Sequence, residues 1–173
     1  MSAAVITASA SIVVAVLAFL LAQRAQVLQE RRQAHLARVN AQLRELYGPL
    51  LALVDVNEKI WESLRATSLP PQTERSPEAG TAEWVTWRNQ VLMPANREMC
   101  ELIKRHADLI EGPAIPEPLL VLCAHVLALE IAMSSEASGV PQRPLVRHPG
   151  ADYVDYVRTT FSLLKAEQQK LLS

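Results

Sequence analysis

Charge is missing from the start of this chain: no Asp, Glu, Lys or Arg precedes Arg24. A helix of that length with no charged face has no side for water, which argues against the core helix of a soluble protein. Aromatic residues are also scarce, with three Trp, three Tyr and two Phe in 173 residues. Two cysteines, Cys100 and Cys123, are too few for a disulfide framework or a cysteine-based zinc site. Both fall in apolar helical patterns and read as buried thiols, which suits a reducing compartment. A net charge of −1 offers no global case for nucleic-acid binding. Patterns of the GxGxxG, P-loop, HExxH, CxxC and GxSxG types are absent too. The chain therefore reads as a non-enzyme, with no catalytic, cofactor or metal site expected.

What is there begins with residues 3–22, AAVITASASIVVAVLAFLLA, which hold ten Val, Ile, Leu or Phe residues. Twenty residues at about 1.5 Å each span the roughly 30 Å hydrocarbon core of a bilayer. Those ten side chains contribute about −3 to −6 kcal/mol toward insertion. A cleaved signal peptide competes with this reading. It needs a basic leading region, which is missing, and a small-residue cleavage site after the apolar run, whereas Ala8-Ser9-Ala10 precedes most of it. An uncleaved transmembrane anchor over residues 1–23 is expected. Arg24, Arg31, Arg32, Arg38 and Arg44 follow the run and no Lys or Arg precedes it. The positive-inside rule then puts the N-terminus outside and the remaining domain in the cytoplasm, as in a single-pass inner-membrane protein. The lipid bilayer is the first expected partner, with the arginines nearest it in reach of anionic headgroups.

Small residues within the span follow a 4-3 spacing: Ala4, Ala8, Ser11, Ala15, Ala18 and Ala22. One face of small residues lets helix backbones approach closely in lipid, so this is a candidate pairing face for a homo-oligomer. The alternative is an Ala-rich composition without pairing. The same register continues through the polar Gln29 and Arg32 to Leu36, Val39, Leu43 and Leu46. Residues 24–48 thus read as an amphipathic stalk of coiled-coil type, shared between a second copy near the membrane and the chain's own helices further down.

Residues 49–173 read as a helical bundle. Gly48-Pro49 is expected to kink the first helix, because Leu50, Leu53, Val54, Ile60, Trp61 and Leu64 keep helical spacing after it. Residues 67–80 are a proline-containing linker, with Thr81 as the next N-cap. A second helix carries Trp84, Met99, Ile103, His106 and Ile110, is kinked at Pro94, and exposes the pairs Arg97–Glu101 and Glu101–Arg105. A third spans about 117–137, residues 138–150 form a linker, and the last starts near Ala151 or Asp152. The expected fold is all-α: a single N-terminal transmembrane helix, continuous with a long kinked helix, packed into an antiparallel bundle of about four helices.

Chemistry-bearing residues are few. Trp84 and Trp87 share a helix face and suggest a ligand groove or partner surface, against the alternative of core packing. His106 and His125 fall on adjacent helices and could meet with Cys100, Cys123 or Glu130, against the alternative of core histidines with one partner each. Glu58 and Glu62, one turn apart, fit a solvated face better than a carboxylate site.

The run Arg38-Val39-Asn40-Ala41-Gln42-Leu43-Arg44-Glu45-Leu46-Tyr47-Gly48-Pro49-Leu50 resembles a segment of small uncharacterised bacterial proteins with a membrane helix, an "LYGPL" helix and Trp-containing helices. Leu92–Asn96 and His106–Ile110 are similar too. The resemblance implies a bacterial inner-membrane setting and no activity. The functional expectation is a membrane-tethered cytoplasmic module for protein interaction or self-association, with an unknown protein partner. A ligand sensor or enzyme near His106 and His125, and a membrane-assembling effector or toxin component, are the alternatives.

Overall fold

The computed structural model describes residues 2–67, 82–140 and 142–173, with side chains for residues 14–66, 84–140 and 142–173. Helix α1 (Ser2–Ala41) passes through a π-helical turn (Gln42–Tyr47) directly into α2 (Gly48–Thr67). A second rod joins α3 (Ala82–Trp87), another π-helical turn (Arg88–Leu92) and α4 (Met93–Arg105). Helices α5 (Glu117–Ala137) and α6 (Asp152–Leu172) are the third and fourth rods, at the positions expected from sequence. The chain is all-helical, with no strand among the described residues. The linker at 67–80 and the Thr81 cap fall on residues that lie outside those described, apart from Thr67 itself.

Each π turn sits directly ahead of a proline. Pro49 and Pro94 have no N–H to donate, and a proline ring presses on the carbonyl four residues back. In both rods the residue before the proline donates its N–H five residues back, Gly48 to the Leu43 carbonyl and Met93 to the Arg88 carbonyl. The wider turn makes room for the ring, so the expected kinks are absorbed as π-bulges inside continuous helices. The extra residue also rotates the buried face. Val39 is buried above the bulge, Leu43, Leu46 and Tyr47 within it, and Leu50, Val54, Asn57 and Leu64 below it. Leu53, which the uninterrupted register would bury, is only half-buried.

Helix α6 packs on α1 and α2, α5 packs on α4 and α6, and α2 packs on α4. Leu46, Leu50, Met93, Met99, Ile103 and Leu119 are fully buried where these rods meet. Each such side chain contributes roughly 1.5–3 kcal/mol relative to exposure. Arg32 donates through Nε and Nη2 to the Leu171 carbonyl at 3.0 and 2.7 Å, which caps the negative end of α6. His35 Nε2 meets Glu167 Oε1 at 2.8 Å one turn further along. The lower part of the stalk is thus held by the chain's own last helix.

The second helix stops earlier than its periodicity suggests. It ends at Arg105, His106 leaves helical geometry (φ −113°, ψ 30°), and Ala107–Leu109 form one 3-10 turn. The side-chain amide of buried Gln42 donates to the Leu109 carbonyl at 2.8 Å, which ties this turn to the first rod. Leu109 and Ile110 still reach the core, from a loop rather than from a helix face. The expected i,i+4 pairs are not formed either: Arg97 pairs across to Glu130 on α5, and Glu101 pairs with Lys104.

Towards its N-terminus α1 is bare. Val14, Leu17, Phe19, Leu20 and Leu21 are each more than half exposed, and Ala15, Ala18 and Ala22 are exposed beside them. The side chains of Ala4, Ala8 and Ser11 lie outside those described. Among the described residues, one helix, Glu117–Ala137, is long and apolar enough to cross a membrane. That helix, α5, sends Leu119, Leu122 and Val126 into the core and pairs Glu130 with Arg97, while Leu120, Leu127 and Ile131 stay exposed. Its packing on the charged helix α4 makes it part of the folded domain.

The Gly48 bulge has no room for a side chain: a Cβ there would lie 2.4 Å from the Leu43 carbonyl oxygen. Replacing Gly48 by Ala is expected to cost about 1–3 kcal/mol through overpacking against backbone. Urea unfolding of the two proteins measures it, and equal midpoints would show that the bulge relaxes freely.

Candidate functional site

Beyond the first bulge and around the second, the rods part and leave a cleft of about 570 Å³. From α2 come Asn57, Trp61 and Arg65, spaced about one turn apart on the face set by the Gly48 bulge. The second rod brings Trp84, Arg88 and Asn96, and α5 brings His125. His148 and Gly150 close one side from the loop before α6, and Tyr153 forms part of the wall.

Aromatic surface dominates one end. The Trp61 and Trp84 rings lie 5.3 Å apart between centroids, tilted by 60°. The Arg65 guanidinium sits 5.7 Å over the Trp61 ring, a cation–π contact that covers that face. Arg88 is mostly buried and paired at 2.7 Å with Glu136, so its charge is answered within the wall.

The floor is amide. Asn57 Nδ2 donates to Asn96 Oδ1 at 2.7 Å, and both side chains are buried. Asn57 Oδ1 is buried without a hydrogen-bond partner. Leaving such an acceptor unsatisfied costs about 1–3 kcal/mol, the kind of cost folds carry where a site needs it.

The imidazoles form the other end. His125 Nδ1 lies 2.9 Å from the Val146 carbonyl; a carbonyl only accepts, so Nδ1 carries the proton and neutral His125 keeps its Nε2 lone pair free to accept. The Gly150 N–H donates to His148 Nδ1 at 3.0 Å, which puts the proton of neutral His148 on Nε2. The two rings meet edge to face at 5.0 Å, and His148 meets Tyr153 in the same way at 6.1 Å. Desolvation, then the charge of His125, hold the His148 pKa below its ordinary 6.5. Burial, then the charge of Glu58, push the Tyr153 hydroxyl up to about 12, so it remains protonated at neutral pH.

The structure sorts the sequence candidates. Trp84 and His125 line the cleft; Trp87 is at the surface and His106 is near Glu45 at the end of α4. The pairs Arg88–Glu136 and Arg97–Glu130 set the second rod and α5 antiparallel, and His106 lies outside the cleft that His125 lines. His125 meets His148 instead. Of the two carboxylates, Glu58 reaches the cleft wall and Glu62 pairs with Lys59 at 3.2 Å. Among the described residues no group of three or more His, Cys, Asp or Glu could hold a metal ion. Sequence reasoning passed over His148, Asn57 and Asn96. An asparagine at a core position of an apolar face, as in the spacing of Val54, Asn57 and Trp61, was a usable signal for the amide floor; a lone histidine in a proline-rich loop carries none.

No protein-family model, curated protein or solved structure matches the chain.

Because the folded His148 pKa is lowered, the unfolded chain takes up that proton first as pH falls. Stability is fully present above the ordinary value of 6.5 and is lost as pH drops through the lowered one. The melting temperature of wild type should fall more than that of His148→Gln between about pH 7.5 and about pH 5. Parallel curves would remove His148 from the pH response.

Proposed function

We propose that this chain is a receptor: a cytoplasmic antiparallel helical bundle, hung from one N-terminal membrane anchor, that binds a small flat molecule in the Trp61–His125 cleft. The cleft carries the reading. It combines apolar aromatic walls with a few fixed polar groups, the usual make-up of a small-molecule site. Its histidines are tied to the loop backbone at Val146 and Gly150, which suits a sensor whose loop responds to occupancy better than a free acid–base pair. The anchor is supported by the exposed Val14, Leu17, Phe19, Leu20 and Leu21 on an unbroken helix that continues into the domain.

The three tryptophans make a direct test. Indole, quinoline and similar aromatic fragments are titrated into the protein, and the indole N–H resonances are followed by NMR. Binding in the cleft shifts Trp61 and Trp84 and leaves the exposed Trp87 in place. A panel that moves none of them, or all three alike, overturns the reading.

A second reading, self-association, is favoured by one observation. Leu120, Leu127 and Ile131 form an exposed apolar stripe along one face of α5. Crosslinking of the intact protein in its membrane should then give dimers that Leu127→Glu abolishes. A monomer in both proteins would leave the stripe without this role.

A further inference from the structure

Several polar groups around the cleft are paired within the protein. Arg88 is answered by Glu136, the Asn57 and Asn96 amides bond to each other, and His148 Nδ1 accepts the Gly150 N–H. Two acceptors on side chains only 7% exposed are not paired: Asn57 Oδ1 and His125 Nε2. The bond that holds the His125 ring runs from Nδ1 to the Val146 carbonyl at 2.9 Å, and Nε2 has no partner among the described residues. The two acceptors differ in access. Asn57 Oδ1 is sealed, whereas His125 Nε2 is not among the sealed atoms and opens on the cleft that the ring lines.

The Val146 bond also fixes what Nε2 can do. A carbonyl only accepts, so neutral His125 carries its proton on Nδ1 and presents a lone pair at Nε2. His148 does not answer that lone pair: the two rings meet edge to face at 5.0 Å with no hydrogen bond between them. In so buried a place little water competes, which strengthens a hydrogen bond from an occupant. An occupant without a donor would strip Nε2 of water and return nothing.

Resting on the reading of the cleft as a receptor, we propose that its ligand is a flat aromatic molecule with a hydrogen-bond donor, an N–H or hydroxyl, on its edge. His125 Nε2 accepts that hydrogen while the Trp61 and Trp84 end takes the ring. His125 is therefore the residue that sets specificity, and it does so through a tautomer imposed by the loop before α6.

Indole and benzofuran share one shape, and benzofuran has an oxygen in place of the N–H. Both are titrated into full-length protein in detergent at about pH 8, above the ordinary imidazole range. Indole should bind about tenfold or more tighter in wild type. That preference should collapse to near one in His125→Phe and partly return in His125→Gln, whose amide can donate to Val146 and still accept. Comparing the ratio across variants cancels any difference in how the two ligands partition into detergent. In wild type labelled with nitrogen-15 histidine, the His125 Nε2 resonance should move with indole and stay in place with benzofuran. This readout needs no variant to fold. Equal affinity for the two ligands, a preference that survives in His125→Phe, or an Nε2 signal unmoved by saturating indole overturns the proposal and leaves the receptor reading standing. Binding of neither ligand overturns both.

Discussion

A proline inside an α-helix removes a donor and drives its ring toward the carbonyl four residues back. This chain meets that constraint at Pro49 and at Pro94, and resolves it both times by widening the preceding turn. At Pro49 the solution depends on Gly48, since a Cβ there would collide with the carbonyl that accepts its N–H. At Pro94 the same bond is made by a methionine that is fully buried in the core. Two helices that could have broken therefore continue, each with its apolar face turned by the extra residue. Asn57 and Trp61 lie beyond the first bulge, Asn96 beyond the second, and Trp84 just ahead of it. The geometry of the cleft is a consequence of how the two prolines are accommodated.

The cleft is then finished by long-range polar contacts. The Asn57–Asn96 bond ties α2 to α4 across the floor, Arg88–Glu136 ties the second rod to α5, and the His125 bond to Val146 draws the proline-rich loop over one side. None of these is strong alone: a neutral hydrogen bond contributes about 1 kcal/mol net, and a partly exposed ion pair no more than that. Their effect is positional. Removing one partner leaves a buried group without its bond, so the arrangement of the walls is better defined than the sum of the contacts suggests.

The helices were legible because periodicity reports burial along one element at a time. The α5 and α6 spans, the continuation of α1 past residue 46 and the core role of Val39, Leu46, Leu50 and Leu119 all follow from spacing. What failed did so where the outcome depended on another element. His106 was expected on a helix, but the helix ends at Arg105 and the Leu109 carbonyl beyond it is held by Gln42 from another rod. Arg97 was expected to pair along its own helix and found Glu130 on the next. A meeting of His125 with His106 was one of two alternatives; His125 instead takes the Val146 carbonyl as its partner, and its ring neighbour His148 comes from a loop with no periodicity to read. Trp84 lines the cleft and Trp87 does not, although they share a face by spacing. Only the position of Trp61 across the gap distinguishes them.

Placement along the first rod bears on what the cleft can meet. On the proposed anchoring, the lipid boundary falls near residue 23, and the rod continues without a break to Asn57 and Trp61. At about 1.5 Å per residue that is roughly 50 Å, well beyond the headgroup layer. A ligand dissolved in the bilayer would have to leave it and cross water to arrive, whereas a soluble molecule meets the cleft directly. The polar floor fits a water-borne ligand for the same reason, since an occupant drawn from lipid tails would strand the Asn57–Asn96 amides against hydrocarbon. On that proposal the anchor would hold the domain at the membrane rather than feed the cleft, and the rod, clasped by Arg32 and His35 to the end of α6, would link the two ends.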